Sequence, residues 1–486
     1  MSSKILRILR LGMFHNFVFL WFVAVSVLTL FTFFWWIPVA HAEDIDSHIQ
    51  LMNTEDIQTT IDTTFYTTAG ADTTYPKNSF RINAKGTTSI DLSEFLGLST
   101  GHYAGQSISV TNIATGVVYG PGANQYSKGL DAYPVESYSE EESYLPIVVR
   151  NLDGLNTMIR VMNTSEGAQT VNIFFYQSDG TLVSPTAYSN TLPSKATWSV
   201  NLITEGSNIG MGDGFSGSAK VIGTDILSVV AQLYSDEESS ACLASSLAKN
   251  NLYFPWVQRS TVGLTAKLYF RNNASVDGTV ACNFYQLDGS PSTQKIFTIP
   301  ANGQMCIDLS TLDELPDGEY VVVASSDQPL AGVALLQSNS DTMMCAYNPT
   351  TRTTTNLYAP FVKVGNGWST DIYITNVSAG PSSFNYGFRN PEGSVSESGV
   401  KNFSPCATVF FTPAPGTFQG ACTVESINPI SGIVLVKNPD GYGFCYPATS
   451  EQGIGKLFMP HLVKNTSEAQ PKPKPGMPWL PILLDD

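Results

Sequence analysis

The chain has 486 residues and a mass of 52.6 kDa, room for about three ordinary domains. Hydrophobic residues at 43 % exclude a wholly disordered chain. Acids outnumber bases 41 to 25, a net charge of −16, which argues against nucleic acid as a partner because phosphate binding needs a basic face.

Residues 1–42 read as a secretory signal peptide. Lys4, Arg7 and Arg10 precede an apolar stretch from Phe17 to Ala40, and Ala40-His41-Ala42 is a small-x-small cleavage pattern. The rival reading is an uncleaved membrane anchor, the one way this chain would touch a membrane. Either way the remainder is expected to be exported, to the medium or the cell surface.

Beyond the leader the chain repeats itself. Ile159-Arg-Val-Met-Asn163, followed by Phe175-Tyr176 and Gly180, is echoed by Ile49-Gln-Leu-Met-Asn53, Phe65-Tyr66 and Gly70. Leu268, Phe270, Asn272, Phe284 and Gly289 make a third copy, and Ile372, Ile374, Asn376, Phe388 and Gly393 a fourth. The aligned asparagines lie 110, 109 and 104 residues apart. A second block, Phe80 to Leu92, matches Phe297 to Leu309 at the same offset. The expected organisation is repeat 1 over 43–143, repeat 2 over 144–252, repeat 3 over 253–356 and repeat 4 over 357–464. A Pro-rich linker over 465–478 and a terminal strand-like motif over 479–486 follow.

Within each repeat the period is two. Val171, Ile173 and Phe175 alternate with Asn172 and Phe174, as do Val280, Cys282 and Phe284 in the next copy, which predicts half-buried strands. Asp179-Gly180 and Asp288-Gly289 are hairpin signals. Ser93 to Leu98 and Ser310 to Leu315 are expected to form single helical turns. Each repeat ends with a Gly-aromatic turn, an apolar run, a short polar turn such as Asp327-Gln-Pro329, and a second apolar run. The fold class is therefore all-β, four tandem antiparallel β-sandwiches of about 100 residues.

An aromatic-x-Pro motif recurs at the repeat boundaries, with Tyr144 and Pro146, Tyr253 and Pro255, Tyr358 and Pro360, and Phe458 and Pro460. Pro cannot donate a ladder hydrogen bond, so these are edge strands that close or link neighbouring sandwiches. A fifth copy, Trp479-Leu480-Pro481-Ile482-Leu483-Leu484, follows the linker, while repeat 1 starts at His48 with no such motif before it. That asymmetry predicts strand addition, in which one molecule's tail fills the open edge of the next, head to tail. The rival readings are a tail that folds back on its own repeat 4, or a sorting tag.

The boundary motif, the strand-ending asparagines, the Tyr-Gln-x-Asp-Gly hairpins and the Gly-aromatic turns together resemble the Ig-like β-sandwich repeats of bacterial secreted and cell-surface proteins. The resemblance implies a spacer, adhesin or coat role, usually with no catalytic site.

Seven cysteines lie between Cys242 and Cys445. Cys242, Cys345 and Cys445, spaced 103 and 100 residues apart, read as one recurring junction position, and Cys282 and Cys422 as core residues. Export permits disulfides, but spacing alone leaves their pairing open. No catalytic, cofactor or metal residues are assigned. The histidines His48, His102 and His461 are expected to lie apart, with His102 a solvated loop residue. Acidic connections such as Glu140-Glu141-Glu142 and Asp313-Glu314 suggest at most weak loop calcium. Five sites, including Asn163-Thr-Ser and Asn376-Val-Ser, match the glycosylation pattern, though an Asn at a strand end reads more simply as a turn former. Trp256, Trp368 and Trp479 near the boundaries suggest packing, or else sugar stacking. The functional expectation is a non-enzymatic structural or adhesive surface protein, self-assembling through its tail, with a carbohydrate-binding array as the alternative. Its partners would be other protein chains, itself included, or surface glycans.

Overall fold

The computed structural model describes residues 46–70, 78–95, 98–109, 114–121, 130–135, 140–236, 238–245, 249–260, 263–338, 343–351, 354–439, 442–450 and 456–464. The leader and the tail motif Trp479–Leu484 lie outside them. The repeats all belong to one compact unit, Ile45–Asp486.

Repeat 1 contains β1 (His48–Asn53), β2 (Thr59–Thr67), β3 (Asn78–Ile82), β4 (Thr87–Asp91), β5 (Gly101–Ser109), β6 (Ala114–Pro121) and β7 (Leu130–Pro134). Repeat 2 contains β8 (Glu140–Arg150), β9 (Asn156–Asn163), β10 (Gln169–Gln177), β11 (Tyr188–Leu192), β12 (Thr197–Asn201), helix α1 (Leu202–Ile209), β13 (Phe215–Tyr234) and β14 (Ser239–Leu243). Repeat 3 runs through β15 (Lys249–Arg259), β16 (Leu264–Asn272), β17 (Gly278–Gln286), β18 (Pro291–Ile299), β19 (Gln304–Asp308), β20 (Gly318–Ser338) and β21 (Met344–Tyr347). Repeat 4 has β22 (Thr354–Val364), β23 (Ser369–Asn376), β24 (Ser382–Arg389), β25 (Val395–Phe403), β26 (Thr408–Phe411), β27 (Phe418–Lys437) and β28 (Gly443–Pro447). The last strand is β29 (Lys456–Lys464).

Every repeat is an antiparallel sandwich, and in repeats 2, 3 and 4 one long strand serves both sheets. In repeat 2 the first half of β13 lies between β10 and β8, with β11 beyond β10; its second half pairs with β9 and β14, with β12 beyond β9. β20 and β27 do the same in repeats 3 and 4. The two apolar runs expected to be separate strands at Asp327-Gln-Pro329 are thus one bent strand. In repeat 1 the places of its two halves are taken by β5 and β6, one in each sheet. The alternation read from sequence is met: Val171, Ile173, Phe175, Val280, Cys282 and Phe284 are all in the cores. So are the hairpins, with Gly180 and Gly289 at positive φ and Asp179 and Asp288 accepting from the amides two residues on. The helical turns are short 3-10 pieces at Leu92–Glu94 and Leu309–Thr311, each capped by the preceding Asp.

Sequence order misassigns the two ends of the ring. β29 does not extend repeat 4; it pairs antiparallel with β5 of repeat 1, from Lys456 opposite Ile108 to Lys464 opposite Gly101. Repeat 1 therefore owns residues 456–464, and Glu140–Ser143 belong to β8 of repeat 2. The open edge expected at the start of repeat 1 is filled by the chain's own fourth motif. Glu140-Glu141-Glu142 is accordingly strand rather than loop, with Glu142 paired to Lys220 at 2.8 Å.

The four repeats close on themselves. β7, β14, β21 and β28 each lie against two of the others, in the cyclic order β7–β14–β21–β28. At the periphery each hairpin docks on the next repeat's turn: the Thr197 amide donates to Thr68 O (3.1 Å), Gln304 to Ser178 O (3.0 Å), Thr408 to Leu287 O (2.8 Å) and Thr87 to Pro391 O (3.0 Å). The last of these joins repeat 1 to repeat 4. The hairpin glycines Gly180 and Gly393 have positive φ, and a Cβ on either would strike the backbone oxygen of Ala301 or Ala84 in the adjoining repeat.

Candidate assembly interface: the repeat junctions

The aromatic-x-Pro motifs sit on β8, β15, β22 and β29, each the edge strand of its sheet. In every copy the register slips across the Pro and the residue after it: Leu145 to Val148, Phe254 to Val257, Ala359 to Val362 and Met459 to Leu462. A bulge is where a missing amide costs no ladder bond. The bulge leaves the polar groups of the next residue needing partners, and a tyrosine from the central strand supplies them. The Tyr446 hydroxyl donates to Phe361 O and accepts from its amide; Tyr133 does the same for His461; Tyr347 donates to Trp256 O. All three tyrosines are buried. They lie far from the motifs in sequence, but a recurring Tyr-Pro or Tyr-x-Pro marks them: Tyr133-Pro134, Tyr347-Asn348-Pro349 and Tyr446-Pro447.

The motif of each repeat also presses on the repeat that follows. One position, the residue immediately before the strand-ending Asn, fills that contact with different chemistry each time. Met52 packs with Tyr358, and Met162 with Phe458 and Tyr66. Arg271, fully buried, lies between the Tyr144 ring (5.0 Å) and the Tyr176 ring (4.8 Å), and its Nη1 donates to Asn273 Oδ1 (2.6 Å). Burial lowers its guanidinium to about 10. Thr375 donates to Pro255 O (3.2 Å). Trp256 is 1 % exposed and stacks on Tyr373 at 4.8 Å. Trp368 lies under Lys363 Nζ at 4.2 Å.

The three recurring cysteines do not share a place. Cys242 stands opposite Ala231, Cys345 opposite Leu336 and Cys445 opposite Leu435. Those partners lie four, six and five residues past the equivalent Leu227, Leu330 and Ile430, because the hairpins into β14, β21 and β28 differ in register. Each one-residue slip turns a side chain to the other face. Cys345 and Cys445 thereby meet as a disulfide joining repeats 3 and 4, across 100 residues of chain. Cys242 is a buried thiol, pushed up to about 12 by desolvation, at the position that Tyr347 and Tyr446 fill in repeats 3 and 4. Cys282 and Cys422 are core residues as expected.

Hydrogen bonds add to the apolar central contacts, in which Tyr119 stacks on Phe361 (4.5 Å) and Phe444 (5.5 Å). The Ala346 amide donates to Ser240 Oγ (2.6 Å) between repeats 2 and 3, and Thr115 and Thr449 share a hydroxyl bond (2.7 Å) between repeats 1 and 4. The junction of repeats 1 and 2 is the polar one. Buried Gln232 donates to Asp131 Oδ2 (2.6 Å) and accepts from Arg160 Nε (2.9 Å). Burial raises the Asp131 carboxyl to about 7 and lowers Arg160 to about 10. The fold-back of β29 brings His461 against His102, ring centroids 5.5 Å apart. These histidines were expected apart; His102 is exposed on β5, while His461 is buried. Desolvation, then Arg160, lower both imidazoles, His461 further, with His102 adding to it.

Asn53, Asn163, Asn272 and Asn376 are fully buried, and each side-chain amide donates to a carbonyl of its own turn and to one of a second turn about 30 residues on, as Asn163 does to Gly167 O (2.8 Å) and Pro193 O (2.9 Å). They are turn clasps, as the strand-end position implied. Among the described residues no cluster of three or more His, Cys, Asp or Glu is placed to hold a metal, and no helix is long and apolar enough to cross a membrane.

No family model matches the chain, and no curated protein does. Among solved structures it is similar to Thermotoga maritima 1070, at 14 % identity over 21 % of this chain and 94 % of that one (TM-score 0.19). It is similar to the Anabaena sensory rhodopsin transducer, at 17 % identity over 18 % and 96 % (TM-score 0.16). It is also similar to a tetra-tandem repeat from the extending region of a large adhesion protein, at 13 % identity over 82 % and 92 % (TM-score 0.12). The fold assignment rests on the strand pairing itself.

Proposed function

We propose that the protein is an exported, non-catalytic structural or adhesive component of the cell surface, in which four sandwiches work as one rigid block. The observation that carries this reading is the pairing of β29 with β5, which ties the chain's last repeat back to its first. A string of independent spacers needs no such closure; a block that must hold its shape under load does. The signal-like leader and the Cys345–Cys445 disulfide support an oxidising, extracytoplasmic location. The groups with chemical potential, Arg271, Arg160, Asp131 and His461, are buried in junctions. Trp256, the boundary aromatic that suggested sugar stacking, is inside a junction too, which favours the structural reading over a carbohydrate-binding array. The test is to recover the protein from the source cells, sequence its mature N-terminus, and measure protease accessibility on intact cells. Beads coated with the purified protein are then tested for cell adhesion and on a glycan array. A cytoplasmic location, or a mature form with enzymatic turnover, refutes the proposal; saturable glycan binding moves it to the alternative.

A further inference from the structure

The slot that β29 occupies on β5 is filled by an imperfect copy of the motif. Leu457, Met459 and Leu462 are buried in the core of repeat 1, and Met459 and Leu462 lie tight against Gly105, where a Cβ would come within 2.9 and 3.0 Å of them. The residue after Pro is the exception. Ile147, Trp256 and Phe361 stand there in the other repeats, all buried and apolar. Repeat 1 has His461, 4 % exposed, with a buried Nε2 that finds no hydrogen-bond partner among the described residues. A buried polar atom without a partner favours any competitor that lacks it.

The chain carries such a competitor. Trp479-Leu480-Pro481-Ile482-Leu483-Leu484 aligns with Phe458-Met459-Pro460-His461-Leu462-Val463 residue for residue, with isoleucine in place of the histidine. It matches the resident of repeat 2, Tyr144-Leu-Pro146-Ile147, still more closely. The four slots of this chain are already taken by β8, β15, β22 and β29. We propose that the tail segment 479–484 of one copy exchanges for β29 in the β5 slot of a second copy, so that the protein assembles by strand exchange. The sequence 465–478 is Pro-rich, and at about 3.1 Å per residue such a segment is long enough to carry the motif to a second copy. This goes beyond the structural role above and stands or falls separately from it, because adhesion and location do not depend on the tail.

The experiment is light scattering over a concentration series on the chain from Glu43. It is run on the full tail, a chain ending at Gly476, the full chain with Ile482→Asp, and the full chain with His461→Ile. A fluorescent peptide of residues 477–486 is titrated into the chain ending at Gly476. The expected result is concentration-dependent oligomers for the full chain, monomers for the truncation and for Ile482→Asp, and peptide binding to the truncation. His461→Ile, which gives the resident strand the tail's residue, lowers the equilibrium constant for exchange about tenfold. Ile482→Asp alters only the tail, so its outcome does not depend on refolding of the sandwiches. Monomers throughout without peptide binding overturn the proposal. A monomeric full chain whose truncation alone binds the peptide also overturns it, because the tail then fills the slot of its own chain.

Discussion

Replacing His461 with isoleucine should stabilise the protein and remove part of its sensitivity to acid. The imidazole is buried and neutral, and its Nε2 has no partner among the described residues, a penalty of about 1–3 kcal/mol. Isoleucine removes that penalty and places in the pocket the residue type that Ile147 provides in repeat 2. The pH term follows from linkage. In the unfolded chain His461 takes up a proton below its ordinary value of 6.5; in the folded protein desolvation, Arg160 and His102 hold it well below that. The native state thus binds fewer protons, so stability is fully present above 6.5 and is lost as pH falls, by about 1.4 kcal/mol per unit until the folded imidazole itself titrates. Between pH 7.5 and 5.5 the wild type should lose about 1.4 kcal/mol more than the variant. Asp131, raised to about 7, titrates in the opposite sense, and His102 in the same sense. Both are present in the two proteins; Asp131 cancels in the difference, and His102, which loses only a neutral neighbour, cancels to first order. The assay is urea unfolding followed by tryptophan fluorescence at both pH values, on chains ending at Gly476 so that exchange cannot intervene. Equal pH losses in wild type and variant, or a less stable variant at pH 7.5, would refute the argument.

Tyr446→Phe should cost about 1–3 kcal/mol in the same assay, because the Phe361 amide and carbonyl in the motif bulge lose their shared partner; a change within error would mean the bulge finds another partner. Gly180→Ala should cost more than the roughly 1–2 kcal/mol of a left-handed alanine, since its Cβ also strikes Ala301 O in the next repeat. Circular dichroism melts will report it as a lowered Tm. Replacing Cys345 and Cys445 with alanine should lose about 2–5 kcal/mol, as expected for a bridge closing a long loop. In thiol titration of the native protein, exposed Cys306 should react first, while Cys242, Cys282 and Cys422 should wait for unfolding, since burial raises all three thiols.

The strands and their buried faces were legible in the chain because they are local. Alternation at Val171-Ile173-Phe175 and turn chemistry at Asp179-Gly180 depend on residues a few positions apart, and four copies of each made the pattern plain. The junction motif was legible for the same reason, down to the Pro that marks an unpaired amide. What each edge pairs with was not. A strand edge offers the same N–H and C=O groups whatever its side chains, so nothing near Phe458 records that its partner is Gln106 in the first repeat. The cysteines failed at a finer scale. Their spacings of 103 and 100 residues are nearly equal, yet hairpin registers differing by one residue turned Cys445 toward Cys345 and left Cys242 alone in its core. The bond of Tyr133 to the His461 bulge, and the meeting of His461 with His102, likewise follow from the closed ring. Local periodicity determined which residues face inward and how many sandwiches form; only the long-range pairing of backbone edges decided that the last motif completes the first repeat.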